Sequence, residues 1–470
     1  MKRRDFFKNG TLTAIGASLL SPAMPGYATE RNLRDTHKRA KNIIMLVSDG
    51  MSIGTLNMAD LYLRRKTGQA SHWLRLYQED KVSRALMDTA SASSLVTDSA
   101  AASSSWGGGV RVPNGSLNVS GNGEAHLPLW QKFKKAGKKA GVVTTVPATH
   151  ATPAGFCINS KSRNAQEQIA EDYLKQGIDV IMGGGNKYFS SDKRKDKTDM
   201  YRQYKTAGYN VVKTRDELLD ADANKPLLGI FGEESLPYTI DYNNDTALQT
   251  EFPTLEEMTR KAIDTMKEHQ EGFVLLVEGG KVDWAAHGND IAGLIYDQAA
   301  FDAAIGAAME FAESDQETLV IITTDHGNAN PGLIYGKDVN RNFDSIQNYK
   351  HSNEWILNGI NTKTNTSQLK ERVAYANNIA LTDDEASNLL GYYANLNQED
   401  GLYNPKHLPF SILADIQKQH NSVGWISMNH SADYVELAMY GPGSDLLKPF
   451  VKNTALHYQM LQAAEVANVF

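Results

Sequence analysis

The sequence predicts an α/β fold in which a mostly parallel central sheet carries helices on both of its faces. Two observations predict it. Short, continuous apolar runs recur along the chain, as expected of strands that are buried on both sides. Segments with helical spacing lie between these runs, and that alternation is typical of parallel sheets. With 470 residues, 41% of them hydrophobic, the chain is long enough to bury a large core.

Six apolar runs have the composition of buried strands. They cover residues 42–47, 141–146, 179–182, 273–277, 318–324 and 435–439. Helical spacing predicts helices over residues 255–269 and 291–313. Residues 331–420 are rich in Asn, Lys, Gln and Tyr and contain few strand-like runs. We interpret them as a partly helical insertion over one end of the sheet, within a single domain that spans residues 29–470.

The first 28 residues have the features of an export signal. The pair Arg3-Arg4 lies in a basic stretch, a mildly apolar run follows, and small residues precede a cleavage point after Ala28. The apolar run is too short and too rich in Gly and Ser to span a bilayer stably, so the mature chain is expected to have no membrane span. We expect a twin-arginine signal peptide and a periplasmic or secreted protein, with a disordered basic tail as the alternative.

Charge and cysteine content exclude several classes of function. The formal net charge is −7, and because residues 1–28 are basic the remainder is more acidic still. That balance argues against binding to a nucleic-acid backbone. The only cysteine, Cys157, can form no internal disulfide and no cysteine-held zinc site, and we expect it to be a buried apolar residue. Any bound metal must therefore use histidines and carboxylates.

A candidate nucleophile lies in the stretch from Val96 to Ala101. Ser99 follows Asp98 and opens an Ala-rich segment, which is typical of a helix N-terminus. The free N–H groups and the dipole of such a terminus favour an anion. A serine hydroxyl is a weak nucleophile until a base or a metal activates it. The alternative is an ordinary helix cap in a polar loop.

Polar residues stand next to most of the predicted strands. They are Asp49, Asp98, Ser99, Thr152, Glu278, Asp283, His287, Asp325, His326 and, before the last strand, His430. Ligands of open α/β sheets bind at the carboxyl ends of the strands, so these side chains are candidates for one site. Histidines with carboxylates and no thiol form a zinc or mixed zinc and magnesium ligand set. Each residue alone is equally explained as a turn residue or a packed histidine.

Together, these residues and their order resemble the alkaline phosphatases, the two-zinc phosphomonoesterases. The matching stretches span nearly all of the mature chain, in the family's order: residues 42–51, 96–109, 150–163, 278–290, 323–329 and 430–443. The resemblance implies an alkaline phosphatase-like fold and hydrolysis of phosphate monoesters through a phosphoserine formed on Ser99. It also implies two Zn²⁺ and one Mg²⁺ as cofactors.

The resemblance further implies a role for each candidate residue. One zinc is bound by Asp49, Asp325 and His326; the second by Asp283, His287 and His430; magnesium by Asp49, Thr152 and Glu278; and the phosphate by Arg163. Three divalent cations bring six positive charges to the site, and four carboxylates with a serine alkoxide bring five negative ones. The net charge of the site is then about +1, or about +2 when Arg163 is included. That charge roughly balances a phosphate dianion, for which a planar guanidinium is well suited.

Two positions differ from many members of the family. Those members carry an aspartate where this chain has His150 and a lysine where it has Trp284, whereas others carry the same pair as here. We expect Asp98, His150 and Trp284 beside the metal ligands. His150 could instead be an added ligand, and Trp284 could simply pack. Because of these two differences, the resemblance does not fix which metals the site prefers or how phosphate is released. The identity of the nucleophile is unaffected.

Three other functions are alternatives to a phosphomonoesterase, and the resemblance also implies an assembly state. A related phosphodiesterase commonly has a threonine nucleophile, and a sulfatase uses a modified cysteine, whereas Cys157 lies outside the nucleophile stretch. The non-enzymatic alternative is a metal-dependent phosphate-binding protein. Alkaline phosphatases are usually dimers, so the resemblance implies a homodimer, to which residues 331–420 could contribute. No residue in the sequence identifies that contact.

Overall fold

The computed structural model describes residues 39–394, 396, 398–399, 402–404 and 407–469. The export signal expected over residues 1–28 lies outside them. The described residues contain sixteen strands. In chain order these are β1 Asn42–Val47, β2 Ser83–Asp88, β3 Lys139–Pro147, β4 Val180–Gly184, β5 Asn210–Val212, β6 Leu227–Ile230, β7 Phe273–Glu278, β8 Thr318–Thr323, β9 Gly327–Asn328, β10 Gly332–Leu333, β11 Gln398–Glu399, β12 Leu402–Tyr403, β13 Val423–Gly424, β14 His430–Ser431, β15 Val435–Tyr440 and β16 Phe450–Lys452.

Ten of the strands in the described part of the chain form one sheet, in the order β16-β2-β15-β8-β1-β7-β3-β4-β6-β5. All of its pairings are parallel except those that β15 makes with β2 and β8. The central strand β1 pairs with β7 and β8 in a register that places Val47 opposite both Glu278 and Thr323. The three strands therefore end level with one another. The predicted mostly parallel sheet is confirmed.

Nineteen α-helices connect and cover these strands within the described residues. They are α1 Ile53–Thr67, α2 His72–Gln78, α3 Ser99–Gly107, α4 Leu129–Lys135, α5 Ala151–Cys157, α6 Gln166–Gln176, α7 Met200–Thr206, α8 Arg215–Asp220, α9 Thr239–Asn243, α10 Thr246–Glu251, α11 Leu255–Met266, α12 Lys281–His287, α13 Ile291–Asp315, α14 Val339–Ser345, α15 Asn353–Asn358, α16 Thr366–Asn377, α17 Asp383–Tyr393, α18 Phe410–Asn421 and α19 Ala455–Ala463.

The sheet separates two hydrophobic cores. Successive side chains of β1 point to opposite faces, so Ile44 and Leu46 pack into one core while Ile43 and Met45 pack into the other. The first core includes the apolar side of α13, and the second includes α3, α5 and α19. Both faces of the strand are buried, which explains why its sequence is a continuous apolar run.

Of the ten strands in the large sheet, the sequence predicted six and missed β2, β5, β6 and β16. β2 alternates between buried and exposed residues near one edge of the sheet, and β5 and β16 have only three residues each. Such strands carry little hydrophobic signal. The two predicted helices correspond to α11 and α13. Residues 331–420 contain α14 to α18. In the described part of the chain, no helix has the length and apolar character needed to cross a membrane.

Candidate active site

Ser99 is the first residue of α3, and its side chain is buried beside His326. Asp98 caps this helix, because its Oδ1 accepts a hydrogen bond of 2.9 Å from the N–H of Ala101. The side chain of Ser99 is 1% exposed, and its Oγ lies 3.3 Å from Nε2 of His326. The serine therefore stands at the positive end of a helix dipole and within reach of a histidine that follows β8.

Asp49, Asp325 and His326 form the first of three groups of possible metal ligands. They follow β1 and β8, and all three are fully buried. Nε2 of His326 lies 3.1 Å from Oδ2 of Asp325 and 3.7 Å from Oδ1 of Asp49. Burial and nearby carboxylates raise the pKa of Asp49 well above its usual value and that of Asp325 to about 6. Burial also lowers the pKa of His326, so its imidazole is neutral and can offer a lone pair.

Gly50 allows these strand ends to approach α12. Its φ is +66°, and a Cβ at this position would lie 2.4 Å from Oδ1 of Asp283. The N–H of Gly50 donates a 2.9 Å hydrogen bond to Oδ1 of Asp325. Any other residue would be strained in this backbone conformation and would also displace the carboxylate.

Asp283, His287 and His430 form the second group. The first two lie one turn apart on α12, so they point the same way. The Nε2 atoms of the two histidines are 3.1 Å apart, and they lie 3.5 and 3.6 Å from the carboxylate oxygens of Asp283. Burial opposes ionisation of Asp283, but the neighbouring imidazoles of His287 and His430 outweigh it and lower its pKa to about 2. This carboxylate is an anion at neutral pH.

His430 reaches the same edge of the sheet for a different reason from the other candidates. It precedes its strand instead of following it. Because β15 runs antiparallel to β8, its beginning lies at the edge where the parallel strands end. The short strand β14 pairs His430 with Asn328 of β9, which continues from β8. The reversed direction of one strand therefore completes the second group.

Asp49, His150 and Glu278 form the third group, which shares Asp49 with the first. Nδ1 of His150 lies 3.7 Å from Oε1 of Glu278 and 4.0 Å from Oδ2 of Asp49. Thr152 follows His150 in the first turn of α5, and its hydroxyl is buried. Burial opposes ionisation of Glu278, yet contacts with His150 and Thr144 lower its pKa.

Several buried oxygens of these groups fit a bound cation. Within the described residues, both carboxylate oxygens of Asp49 and one oxygen each of Thr152, Glu278 and Asp325 are buried and have no hydrogen-bond partner. Buried polar atoms are normally satisfied, and a cluster of unpaired carboxylates is costly. Histidine nitrogens and carboxylate oxygens are also the donors that zinc prefers, and carboxylate and hydroxyl oxygens suit magnesium. The residues present therefore fit divalent metals.

Arg163 lies between Asp98 and His150. One guanidinium nitrogen donates to Oδ2 of Asp98 at 3.1 Å, and the other lies 3.0 Å from Nε2 of His150. The arginine side chain is partly exposed, so its remaining N–H groups are open to a ligand. The ring of Trp284 meets that of His150 edge to face, with 6.5 Å between the ring centroids. The aromatic residue thus lies beside the imidazole that contacts the arginine.

Comparison with known proteins identifies the family. The alkaline phosphatase family model matches residues 40–466. The chain belongs to the alkaline phosphatase family. Alkaline phosphatase 4 of Bacillus subtilis is 29% identical over 473 residues, covering 97% of each chain. Alkaline phosphatase of Escherichia coli is 29% identical over 80% of this chain and 89% of its own.

Solved alkaline phosphatase structures share the fold. The Thermus thermophilus enzyme superimposes with a TM-score of 0.84 at 31% identity, covering 95% of this chain and 96% of its own. The cold-active enzyme of a Shewanella species gives 0.74 at 26% identity, covering 90% of this chain and 99% of its own. The predicted family, fold and enzyme class are confirmed: the protein is a phosphomonoesterase of the alkaline phosphatase family.

Two residues that support this alkaline phosphatase site were not found from the sequence. The amide of Asn328 donates a 2.7 Å hydrogen bond to Oδ1 of Asp283, and the hydroxyl of Thr144 donates a 2.5 Å bond to Oε2 of Glu278. Thr144 is one of two adjacent threonines in a mostly apolar strand, which was its only signal in the sequence. Asn328 carried no signal except that it follows Asp325 and His326. The structure brings every predicted metal ligand except Thr152 into one of the three groups, and Thr152 is buried two residues after His150. Cys157 is buried as expected.

Proposed function

We propose that this chain hydrolyses phosphate monoesters of broad structure to an alcohol and inorganic phosphate, through a phosphoserine formed on Ser99. One observation carries the proposal. The buried hydroxyl of Ser99 lies 3.3 Å from His326, where three groups of histidines and carboxylates meet at one edge of the sheet. A structural metal site is closed and requires neither a serine nor an arginine.

The proposed cofactors are two Zn²⁺ and one Mg²⁺. Asp49, Asp325 and His326 would hold one zinc, and Asp283, His287 and His430 the other; Asp49, Thr152 and Glu278 would hold magnesium. Bound divalent cations lower the pKa of hydroxyl groups and neutralise the charge that develops on transferred phosphate. Elemental analysis of protein loaded with both ions should give two zinc and one magnesium per chain. Three zinc per chain would contradict the assignment of the third site.

We propose that His150 is a neighbour of the magnesium ligands and not itself a ligand, and its contact with Arg163 supports this. An arginine N–H can only donate, so Nε2 of His150 must offer a lone pair to it. A neutral imidazole then carries its proton on Nδ1, the atom that faces Asp49 and Glu278. A metal bound at Nδ1 would leave two N–H groups pointing at each other. This argument supports an oxygen-only set of protein ligands for magnesium.

The residues of the chain divide the reaction into two displacements. Arg163 holds two phosphate oxygens, and Ser99 Oγ gives up its proton and attacks phosphorus. The bond from phosphorus to Ser99 forms as the bond to the leaving oxygen breaks, and that oxygen takes up a proton and departs as the alcohol. Water then attacks the phosphoserine, the bond to Ser99 breaks, a proton from the water returns to Ser99 Oγ, and inorganic phosphate leaves. Asp98 caps α3 and accepts from Arg163, so it fixes the nucleophile and the phosphate-binding group relative to each other.

The proposal is tested with chromogenic aryl esters. We expect rapid release of the phenol from a phosphate monoester, far slower release from a phosphate diester and a sulfate ester, loss of activity in chelator, and recovery with zinc and magnesium. Ser99→Ala should abolish turnover while phosphate still binds. A preference for the diester or the sulfate ester, or full activity in chelator, would contradict the proposal. Turnover that survives in Ser99→Ala would exclude the phosphoserine.

A homodimer is proposed from an apolar groove. The groove has a volume of about 420 Å³ and is lined in part by Ile53, Leu86 and Tyr434, which are 65, 43 and 62% exposed. The ring of Tyr434 contacts Phe450, itself half exposed, at 5.1 Å. Clustered apolar side chains of this kind mark interaction surfaces, and a second copy is the occupant that the family resemblance favours.

Export by the twin-arginine route to the periplasm or outside is also proposed. Support comes from Arg3-Arg4, the apolar run that follows and the small residues before Thr29. A chain that takes up its metals before export suits a route that carries folded proteins. Mass spectrometry of the exported protein should find Thr29 at its N-terminus. An intact N-terminus, or export that survives replacement of both arginines by lysine, would contradict the proposal.

A further inference from the structure

Lys281 is a buried cation that the proposed reaction does not use. Its side chain is 2% exposed. The ammonium donates one long hydrogen bond, 3.4 Å to the hydroxyl of Ser235, and lies 3.5 Å from the ring centroid of Tyr238. It also lies 5.0 Å from the ring of Trp284. Burying an ammonium is costly, so two aromatic faces and the nearby carboxyl of Asp297 must compensate for lost water. Burial raises the pKa of that carboxyl to about 7, and the charge of Lys281 opposes the rise.

Trp284 connects this cation to the site. Lys281 and Trp284 are three residues apart on α12, so their side chains lie on the same side of the helix. Trp284 is therefore contacted by the ammonium and also by the imidazole of His150, whose plane lies at 78° to its own. Edge-to-face pairs at such distances are weakly attractive and depend on orientation. Whatever fixes the indole ring also restricts the imidazole.

His150 passes this restriction to Arg163. The guanidinium has two acceptors among the described residues, Asp98 and Nε2 of His150. If the imidazole turns, the arginine keeps only the contact with Asp98 and can rotate about it. A planar guanidinium binds two phosphate oxygens only in one orientation, so this freedom weakens phosphate binding.

We propose that Lys281 is a positioning residue for phosphate binding, acting through Trp284 and His150 on the guanidinium of Arg163. The inference rests on the proposed function and names a residue that sets how tightly the same site holds phosphate. The competing explanation is that Lys281 only neutralises Asp297 in the core. That role affects folding stability but leaves the affinity for phosphate unchanged.

The test measures inorganic phosphate binding to the metal-loaded enzyme by calorimetry. We expect Lys281→Met to raise the Kd about fivefold, equivalent to about 1 kcal/mol, which is the size of a partly desolvated cation–π contact. Lys281→Arg should restore most of the affinity, because a guanidinium also binds ring faces. Lys213 offers a matched control, since its ammonium lies 3.7 Å from the ring of Tyr201 outside the site. Lys213→Met should leave the Kd unchanged.

A double-variant cycle separates positioning from a purely structural role. Trp284→Leu should also weaken phosphate binding, and the combined variant should bind no more weakly than Trp284→Leu alone, because both changes break one line of contacts. Additive losses, or a folded Lys281→Met with the Kd of the unchanged enzyme, would overturn the inference. If Lys281→Met does not fold, Trp284→Phe and Trp284→Leu are compared instead. Equal phosphate affinities of these two variants would overturn the inference, whereas weaker phosphate binding by Trp284→Leu alone would support it.

The unchanged enzyme shows whether the proposed function holds, independently of the Lys281 variants. If the unchanged enzyme neither hydrolyses monoesters nor binds phosphate, the proposed function fails and the role of Lys281 falls with it. If it does both while Lys281→Met binds phosphate equally well, only the positioning role is lost.

Discussion

Each histidine of the two proposed zinc sites is oriented by a backbone carbonyl. Nδ1 of His287 lies 2.7 Å from the carbonyl oxygen of Met428, and Nδ1 of His430 lies 3.0 Å from that of Thr97. His326 makes a longer contact of 3.3 Å with the carbonyl of Gly327. A carbonyl accepts only, so Nδ1 of each histidine carries a proton, and Nε2 is the nitrogen left to bind a metal beside the neighbouring carboxylates. The backbone therefore selects the tautomer that can bind a metal.

Arg163→Ala should weaken phosphate binding without unfolding the protein. The side chain is partly exposed and its partners lie in the site, so its loss leaves the core intact. We expect the inhibition constant for phosphate to rise about 10- to 100-fold, the value of one or two charge-assisted hydrogen bonds. The measurement is competitive inhibition of aryl phosphate hydrolysis. Arg202→Ala, at an exposed position of α7, is the control and should change nothing. An unfolded Arg163→Ala would make the arginine structural.

At the scale of elements, α3 and α5 lie unusually close together. A Cβ on Gly155 would stand 2.2 Å from the hydroxyl of Ser103, and one on Gly107 would stand 1.9 Å from the carbonyl oxygen of Gly155. Glycine at both positions lets the helix that carries Ser99 pack directly on the helix that carries Thr152. The position of the nucleophile relative to the third group depends on this contact.

Gly155→Ala should push these helices apart. We expect a loss of about 1 to 3 kcal/mol in the free energy of unfolding, and lower activity because α3 carries Ser99. Gly391, in α17, provides a matched control, since a Cβ there meets no atom within 4 Å. Gly391→Ala should stabilise the protein by about 0.5 to 1 kcal/mol through helix propensity. Denaturant unfolding gives the free energy of unfolding of both variants. Equal changes in that free energy for Gly155→Ala and Gly391→Ala would contradict the close packing of α3 on α5.

His457 attaches α19 to the far end of α3. It is fully buried, with Nδ1 2.8 Å from the carbonyl oxygen of Trp106 and Nε2 3.1 Å from Nζ of Lys132. Burial, together with the charge of Lys132, lowers the pKa of His457 to about 4. The unfolded chain takes up this proton near its ordinary pKa of about 6.5, so the folded state loses stability as the pH falls through this window.

The expected loss at His457 is about 2 kcal/mol between pH 7 and pH 5. Denaturant unfolding in chelator, at both pH values, should show a larger fall in unfolding free energy for the unchanged protein than for His457→Gln. The glutamine does not titrate, so the difference isolates this histidine. Identical pH dependence of the two proteins would mean that folding does not lower the pKa of His457.

At the scale of the whole molecule, the sheet brings distant parts of the chain to one edge. Because β1, β7 and β8 end level, Asp49, Glu278 and Asp325 meet although they are far apart in sequence. The antiparallel β15 adds His430 to the same edge. One sheet topology therefore assembles all three groups of ligands.

The proposed homodimer is tested at the apolar groove. Leu86→Glu and Tyr434→Glu place charges among side chains that a second copy would cover, so each should shift the protein toward monomer. Light scattering coupled to size-exclusion chromatography gives the mass. Leu219→Glu is the control, because Leu219 is similarly exposed at 48% but does not line the groove. A monomeric unchanged protein, or variants that remain dimeric, would contradict the proposal.

The sequence by itself determined which donors are available and which strands form the centre of the sheet. One cysteine restricted any metal site to histidines and carboxylates, and continuous apolar runs marked strands that are buried on both faces. Both are local properties, readable without knowing what lies nearby. The order of the motifs also identified the family.

Only the tertiary structure decided how the donors are grouped and what supports them. Thr144 and Glu278 are 134 residues apart, and Asn328 and Asp283 are 45 apart, so their hydrogen bonds exist only because strand register and helix packing bring them together. The contact between the ammonium of Lys281 and the ring of Trp284 likewise depends on how the folded chain places the two side chains. Residue type sets which contacts a side chain can make, whereas distance decides which it does make, and distance is a property of the folded chain.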